Sequence, residues 1–359
     1  MKNSLILNCP INSMGYGITS YNTWKALHKK LDTILFIMHE PQLEKHWDQS
    51  NILADVLKQR EYDTNLPCLK IWHPNDLIIK PHSKGLYSTY SFFETDRLNP
   101  AEILHYNIPD IVFVPTSWAK NILINHNIPK NKIKVAPSGV DVDIFNPTIK
   151  IDTEDQQDKY IFLNIGKWEI RKGHDILVHI FNQAFEEKDN VELWMLNHNP
   201  FLSENENKHW LEMYKNSKLG DKIKIFPRLP SQEHIAKIIK LSDCGIYPAR
   251  AEGWNNEALE TMAMNKPVIL TNYSGHTQYA TEKNSYLVNI DSLEEAIDGK
   301  FFNGTGRWAE LTSNVIDNFV EHMRYAYRNN IKTNPNGLET AQKFNWNHTA
   351  SSMIESIYE

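Results

Sequence analysis

The feature that most limits how this 359-residue chain can fold is an alternation of short apolar runs with helical stretches, and it occurs twice. Residues 4–8, Thr33–Met38, Leu69–Trp72, Gly85–Tyr90, Ile111–Pro115 and Lys132–Ala136 read as strands. An amphipathic helix running to about Lys30 and another over Ser117–Asn125 lie among them. The second series runs from Tyr160–Ile165 through a helix at 174–187, strands at 191–196 and 222–226, a helix at 231–241 and a strand at 243–247. A short strand over Tyr286–Val288 and helices within 311–329 complete it. Strands that alternate with helices pair in parallel and carry helices on both faces. The stretch 148–159 between the two series is polar and acidic and predicts a linker. The expected fold class is α/β with two doubly wound Rossmann-like domains, 1–150 and 151–335, each long enough to bury its own core.

Net charge of −6 argues against a nucleic-acid partner, which needs a basic face. Cys9, Cys68 and Cys244 lie far apart with no C-x-x-C pair, so they read as free thiols rather than metal ligands. The N-terminus reads as a strand, not an export signal, and no run reaches the roughly 18 apolar residues of a membrane span. A cytoplasmic location is the expectation.

The stretch Tyr247–Leu270 carries the most chemistry. It reads as a strand end, a loop with Glu252, Gly253 and Trp254, a helix opening near Asn255, and a second strand from Pro267. Asn255 or Asn256 can cap that helix. Its N-terminus offers amide groups to an anion, and Gly253 lets the backbone approach one closely. Glu252 and Glu260 flank this mouth, about 12 Å apart if the whole interval were helical. Carboxylates there suit the paired hydroxyls of the two sugar rings of a nucleotide-sugar. Trp254 reads as a pocket wall or as core. Upstream, Gly166-Lys167-Trp168-Glu169-Ile170-Arg171-Lys172-Gly173 sets two lysines in one glycine-framed loop.

The glutamate pair eight residues apart, with Gly253 and an aromatic after the first, resembles the donor site of family 4 retaining glycosyltransferases (glycosyl transferases group 1). Gly166 to Gly173 is similar to that family's phosphate loop, and Val135-Ala136-Pro137-Ser138-Gly139-Val140-Asp141 with Phe145 and Pro147 to its interdomain signature. The resemblance covers most of 110–350. It implies a GT-B architecture, two domains facing across a cleft, with residues 336–359 ending in a helix that returns to the first domain. It also implies transfer from a nucleoside-diphosphate sugar to a saccharide, lipid-linked or protein acceptor, with retention, no metal and no cofactor. A nucleotide-sugar epimerase of the same architecture and a non-catalytic sugar-nucleotide-binding protein are the alternatives.

Under this resemblance Lys167 and Lys172 meet the diphosphate, with Lys167 standing where the family uses arginine. Arg171 shares that task or pairs with an acid. Glu252 takes donor-sugar hydroxyls and Glu260 the ribose. Gly166, Gly253, Trp254, Asn255 and Arg228 border the donor, and Ser274–Thr277 flanks it. Gly15 and Gly17 form a glycine loop on the acceptor side or a tight turn; without a third glycine they do not read as a dinucleotide fingerprint. Glu94 takes the place of a family histidine and orients an acceptor or donor hydroxyl, while His73 reads as a strand-end residue. Asp141-x-Asp143 fits the interdomain signature better than a metal site. Trp24, Lys25, His28, Lys29 and Lys30 read either as a weak peripheral membrane contact or as a solvated helix end.

Overall fold

A computed structural model describes residues 3–79, 82–151 and 158–359. The chain divides into two compact units, 1–141 with 344–359, and 142–343. Six of the twelve linker residues, 152–157, lie outside the described residues.

The first unit contains β1 (Ser4–Pro10), α1 (Gly15–His28), β2 (Asp32–Met38), α2 (Gln49–Leu57), β3 (Cys68–Ile71), β4 (Tyr87–Tyr90), α3 (Pro100–Asn107), β5 (Ile111–Val114), α4 (Ser117–Asn125) and β6 (Ile133–Val135). Its strands form one parallel sheet in the order β2-β1-β3-β4-β5-β6. Strands covered on both faces favour continuous apolar runs, and Ile34–Ile37 of β2 and Ile111–Val114 of β5 stand out in the sequence for that reason. Leu5, Leu7, Trp24, Leu27 and Phe113 share a core with Trp346 and Met353 from the chain's last helix.

One expectation fails here. Trp24 is 1% exposed and its Nε1 donates to Asp55 Oδ2 at 2.8 Å, so it cannot dip into a lipid surface. Lys25 pairs with Asp141 at 3.0 Å and His28 with Asp55 at 3.0 Å, so these members of the basic face are engaged within their own unit. No helix among the described residues is long and apolar enough to cross a membrane.

The second unit contains β7 (Tyr160–Gly166), α5 (His174–Ala184), β8 (Val191–Asn197), α6 (Glu204–Lys215), β9 (Ile223–Ile225), α7 (Gln232–Leu241), β10 (Cys244–Tyr247), α8 (Asn256–Ala263), β11 (Val268–Thr271), β12 (Tyr286–Val288), β13 (Leu293–Ile297), β14 (Asn303–Ala309), α9 (Ser313–Arg328) and α10 (Pro335–Lys343). Six strands again form a parallel sheet, β12-β11-β10-β7-β8-β9, and β13 pairs antiparallel with β14. Phe162, Leu177, Phe181, Ile246, Phe319 and Met323 lie in its core.

Helix α5 stops at Ala184 instead of 187, because buried Phe185 turns extended (φ −133°, ψ 162°). Helix α10 belongs to the second unit, held by Asn334, which bonds to Asn265, Lys266 and Asn284. The chain re-enters the first unit at Phe344, whose carbonyl accepts from Val140 N at 3.0 Å, and ends in α11 (Trp346–Tyr358). A Cβ on Gly139 would stand 2.2 Å from Trp346 N, so this crossing admits only glycine.

Candidate active site

The carboxyl ends of β7 and β10 are neighbours, and the loops leaving them build the site. Two glycines set how closely those loops approach. Gly173 has φ 74°, and a Cβ there would sit 1.9 Å from Pro248 O, so a larger residue is excluded by conformation and by space. A Cβ on Gly275 would lie 2.6 Å from Glu252 O, which instead accepts from Gly275 N at 2.8 Å. Glu252 N donates to Ser274 Oγ at 2.9 Å. Arg250 N donates to Arg171 O at 2.7 Å, stitching the loops side by side. The Arg250 guanidinium grips Asp175 through both carboxylate oxygens and Glu294 of β13 at 2.8 Å.

With the loops in register, charges alternate along one line. Lys167 Nζ lies 2.9 Å from Glu169 Oε1, and Arg171 Nη2 is 2.6 Å from Glu169 Oε2. Arg171 Nη1 donates to Glu252 Oε2 at 2.9 Å and to Ala251 O at 2.8 Å. Lys172 Nζ meets Glu252 Oε1 at 2.8 Å and lies 3.7 Å from Glu257 Oε1, in the first turn of α8. Gly166 makes room for the Lys172 stem, since a Cβ there would stand 3.0 Å from Lys172 Cδ.

The pairings fix the ionisation. Burial works against charge on Glu169, but Arg171, Lys167 and Lys172 outweigh it and bring the carboxyl down to about 2. Burial likewise opposes charge on Glu252, and Arg171 and Lys172 hold it well below the usual carboxylate range. Lys172 is pushed the other way: burial disfavours its charge, yet Glu252 and Glu257 raise it above an ordinary lysine.

Two buried histidines brace the frame. His174 Nδ1 accepts from Glu169 N at 3.1 Å and its Nε2 meets Asn164 Oδ1 at 2.9 Å. Because a backbone N–H can only donate, Nδ1 is unprotonated; burial and then Lys172 bring this imidazole down to about 3. Asn255, in a left-handed conformation (φ 73°), caps α8 by accepting from Ala258 N at 3.1 Å. Its Nδ2 therefore faces His276 Nε2 at 2.8 Å, and His276 Nδ1–H donates to Thr271 O at 2.8 Å. His276 is lowered too, chiefly by burial.

The structure thus gathers Gly166, Lys167, Lys172, Glu252, Gly253 and Asn255 at adjoining loops. Trp254 is buried, its ring 5.1 Å from that of Tyr279. Glu260 is buried on α8, not exposed as an isolated helix glutamate would be. Arg228 lies exposed after β9, at the edge of the sheet and two strands from β7. Gly15 and Gly17 belong to the first turn of α1 rather than to a loop. A Cβ on Gly17 would strike Asn12 O at 2.2 Å, whereas Gly15 has open space around it.

Glu94 and His73 sit in the first unit, beyond the carboxyl ends of β4 and β3. His73 is exposed and its ring is 4.3 Å from that of Tyr16, whose hydroxyl donates to Phe92 O and accepts from Phe92 N. Burial raises the phenols of Tyr16 and Tyr106, and the Glu94 charge adds to both. Asp141 is buried against Lys25. Sequence reasoning missed Glu169, His174 and Glu257. The alternating signs of Lys167, Glu169 and Arg171 were the signal for the first; nothing local marks the others.

Known proteins resemble this chain in part of its sequence and in its fold. Residues 146–299 match the family model described as "Glycosyl transferases group 1". A protein of Methanocaldococcus jannaschii named as an uncharacterized glycosyltransferase is 28% identical over 240 residues, 63% of this chain and 54% of that protein. Mannosylfructose-phosphate synthase of Agrobacterium fabrum is 24% identical over 254 residues, 64% and 53%. The match thus spans about half the length of these curated relatives. Among solved structures, a glycosyltransferase from Rickettsia africae superposes with TM-score 0.70 at 16% identity, covering 99% of this chain and 97% of that one. HepE of Anabaena, in complex with UDP and glucose, gives 0.71 at 13% identity, covering 99% of both. At such identities the superpositions speak for the fold alone. The pair of parallel six-stranded sheets and these superpositions give the chain the GT-B fold, and within it residues 146–299 are similar to the glycosyl transferases group 1.

Proposed function

We propose that the chain moves a sugar from a nucleoside-diphosphate donor to an acceptor hydroxyl, with retention of configuration and without a metal. The observation that carries this reading is the buried Lys172 ammonium, held by Glu252 beside the first turn of α8. A departing diphosphate gains charge as the sugar becomes oxocarbenium-like, and fixed cations with amide dipoles lower that barrier. An ammonium has three donors, so Lys172 can keep Glu252 and still meet phosphate oxygens. Lys167 faces the same diphosphate, Glu252 the donor-sugar hydroxyls and buried Glu260 the ribose.

In the proposed reaction the donor's anomeric C–O bond breaks toward the phosphate and the acceptor oxygen bonds to that carbon on the same face. The acceptor proton passes to the leaving phosphate oxygen. Glu94, at the carboxyl edge of the first sheet, orients the acceptor hydroxyl. The complex of HepE with UDP and glucose supports a UDP-sugar donor. With UDP-glucose as donor, Lys172→Ala should lower turnover roughly 10²–10³-fold, the loss typical of one oxyanion-stabilising donor. Unchanged turnover overturns the assignment. Glu260→Ala should instead weaken UDP binding in calorimetry.

A further inference from the structure

The charged line in the second unit is not uniform. Its ends, Lys167 and Glu257, are 40% and 26% exposed, whereas Glu169, Arg171, Glu252 and Lys172 lie between 5% and 10%. Arg171 is the middle cation. Both hydrogens of its Nη1 are taken by protein, one by Ala251 O and one by Glu252, while Nη2 holds Glu169. Its partners lie on opposite sides of the site: Glu169 two residues before it in its own loop, Glu252 eighty-one residues away in the other.

We infer that Arg171 is a positioning residue and not a phosphate ligand: with Glu169 it forms a strut that pins Glu252 by Oε2, so that this carboxylate meets Lys172 through Oε1 alone and cannot turn its second oxygen onto the ammonium and block the incoming diphosphate. The inference rests on the donor-site reading above. A flat guanidinium can hold two carboxylates in fixed directions at once, which a lysine ammonium on a flexible stem cannot. Without the strut Glu252 is a buried carboxylate short of donors. Its freed Oε2 then turns to Lys172, which Oε1 already holds, and takes a second ammonium donor that the ligand needs.

The test uses the full chain, inorganic pyrophosphate as probe and calorimetry, which needs no knowledge of base or sugar. Arg171→Lys keeps the charge but loses the fork, and it should weaken pyrophosphate binding about tenfold. In a Glu252→Gln background the same change should cost less than about twofold, because the competing carboxylate is gone. A tenfold loss in both backgrounds makes Arg171 a direct ligand or a general support, and full affinity in Arg171→Lys makes the fork irrelevant; either result overturns the strut. Should Arg171→Lys not fold, the charge-matched pair Glu169→Gln with Arg171→Gln runs through the same cycle under the same criteria. The donor-site reading is tested separately by Lys172→Ala. If that change leaves pyrophosphate affinity intact, the reading fails whatever Arg171 does.

Discussion

Each unit buries a carboxylate beneath cations, yet the two arrangements differ in kind. In the first unit Asp55 is fully buried and takes Trp24 Nε1, Thr33 Oγ1, His28 Nδ1 and Lys58 Nζ, all from α1, β2 and the end of α2. These contacts staple helices to the amino end of β2. In the second unit Glu252 takes Arg171 and Lys172 from a loop at the carboxyl end of a central strand, and the line of charge runs on to half-exposed Lys167. Ligands of such sheets bind at carboxyl edges. The same chemistry is a fastener at the amino end of a strand in one unit and lines the candidate site at the carboxyl end of a strand in the other.

Substitution separates the two. The largest effect expected is the Lys172→Ala loss of turnover, with the folded state kept. Asp55→Ala should invert that pattern: stability falls by about 3 kcal/mol, because Trp24, Thr33 and Lys58 lose their shared acceptor, while turnover per folded molecule holds. Denaturant titration with activity assays reads both. Asp55→Ala abolishing turnover in folded protein would erase the distinction.

Acid should find the second unit through its site. His174 is held near 3 against an ordinary 6.5, so as pH falls below 6.5 the unfolded chain takes up a proton that the folded one refuses. Stability therefore declines from 6.5 downward, by roughly 3 kcal/mol at pH 4.5. Glu169, held near 2 against an ordinary 4.5, contributes stability above 4.5 that is lost as pH falls toward 2, so the decline steepens there. Hydrogen exchange of β7 and α5 amides against pH checks this; protection that stays flat from 7 to 4 would contradict it.

The smallest effect concerns α1. Gly15→Ala meets nothing within 4 Å, so stability should change by less than about 1 kcal/mol. If Gly15 is there to let an acceptor approach, turnover falls while stability holds; if it only begins a helix, both hold.

Much of the fold was legible because parallel strands buried on both faces carry unbroken apolar runs, as Tyr160–Leu163 and Val268–Leu270 are. Helix α6, ENENKHWLEMYK, escaped notice because Tyr214 is its one buried residue. The β13–β14 hairpin escaped too, since Glu294 and Glu295 interrupt its apolar pattern and its register shifts after Glu295. In the site, glycine spacing pointed to Gly166, Lys172 and Glu252, and cap chemistry pointed to Asn255. The ion pairs were not readable. They join residues eighty positions apart through the contact of Gly173 with Pro248, and no local pattern encodes that distance.

The crossing at Val140 and Phe344 has a topological consequence. Residues 142–343 leave and re-enter the first unit at adjacent points, so the second unit is an insertion spliced into an otherwise continuous body. Bridging Asp141 to Phe344 with a short peptide would leave β1 to β6 and α11 as one uninterrupted chain, and would release residues 142–343 as a module with its own termini.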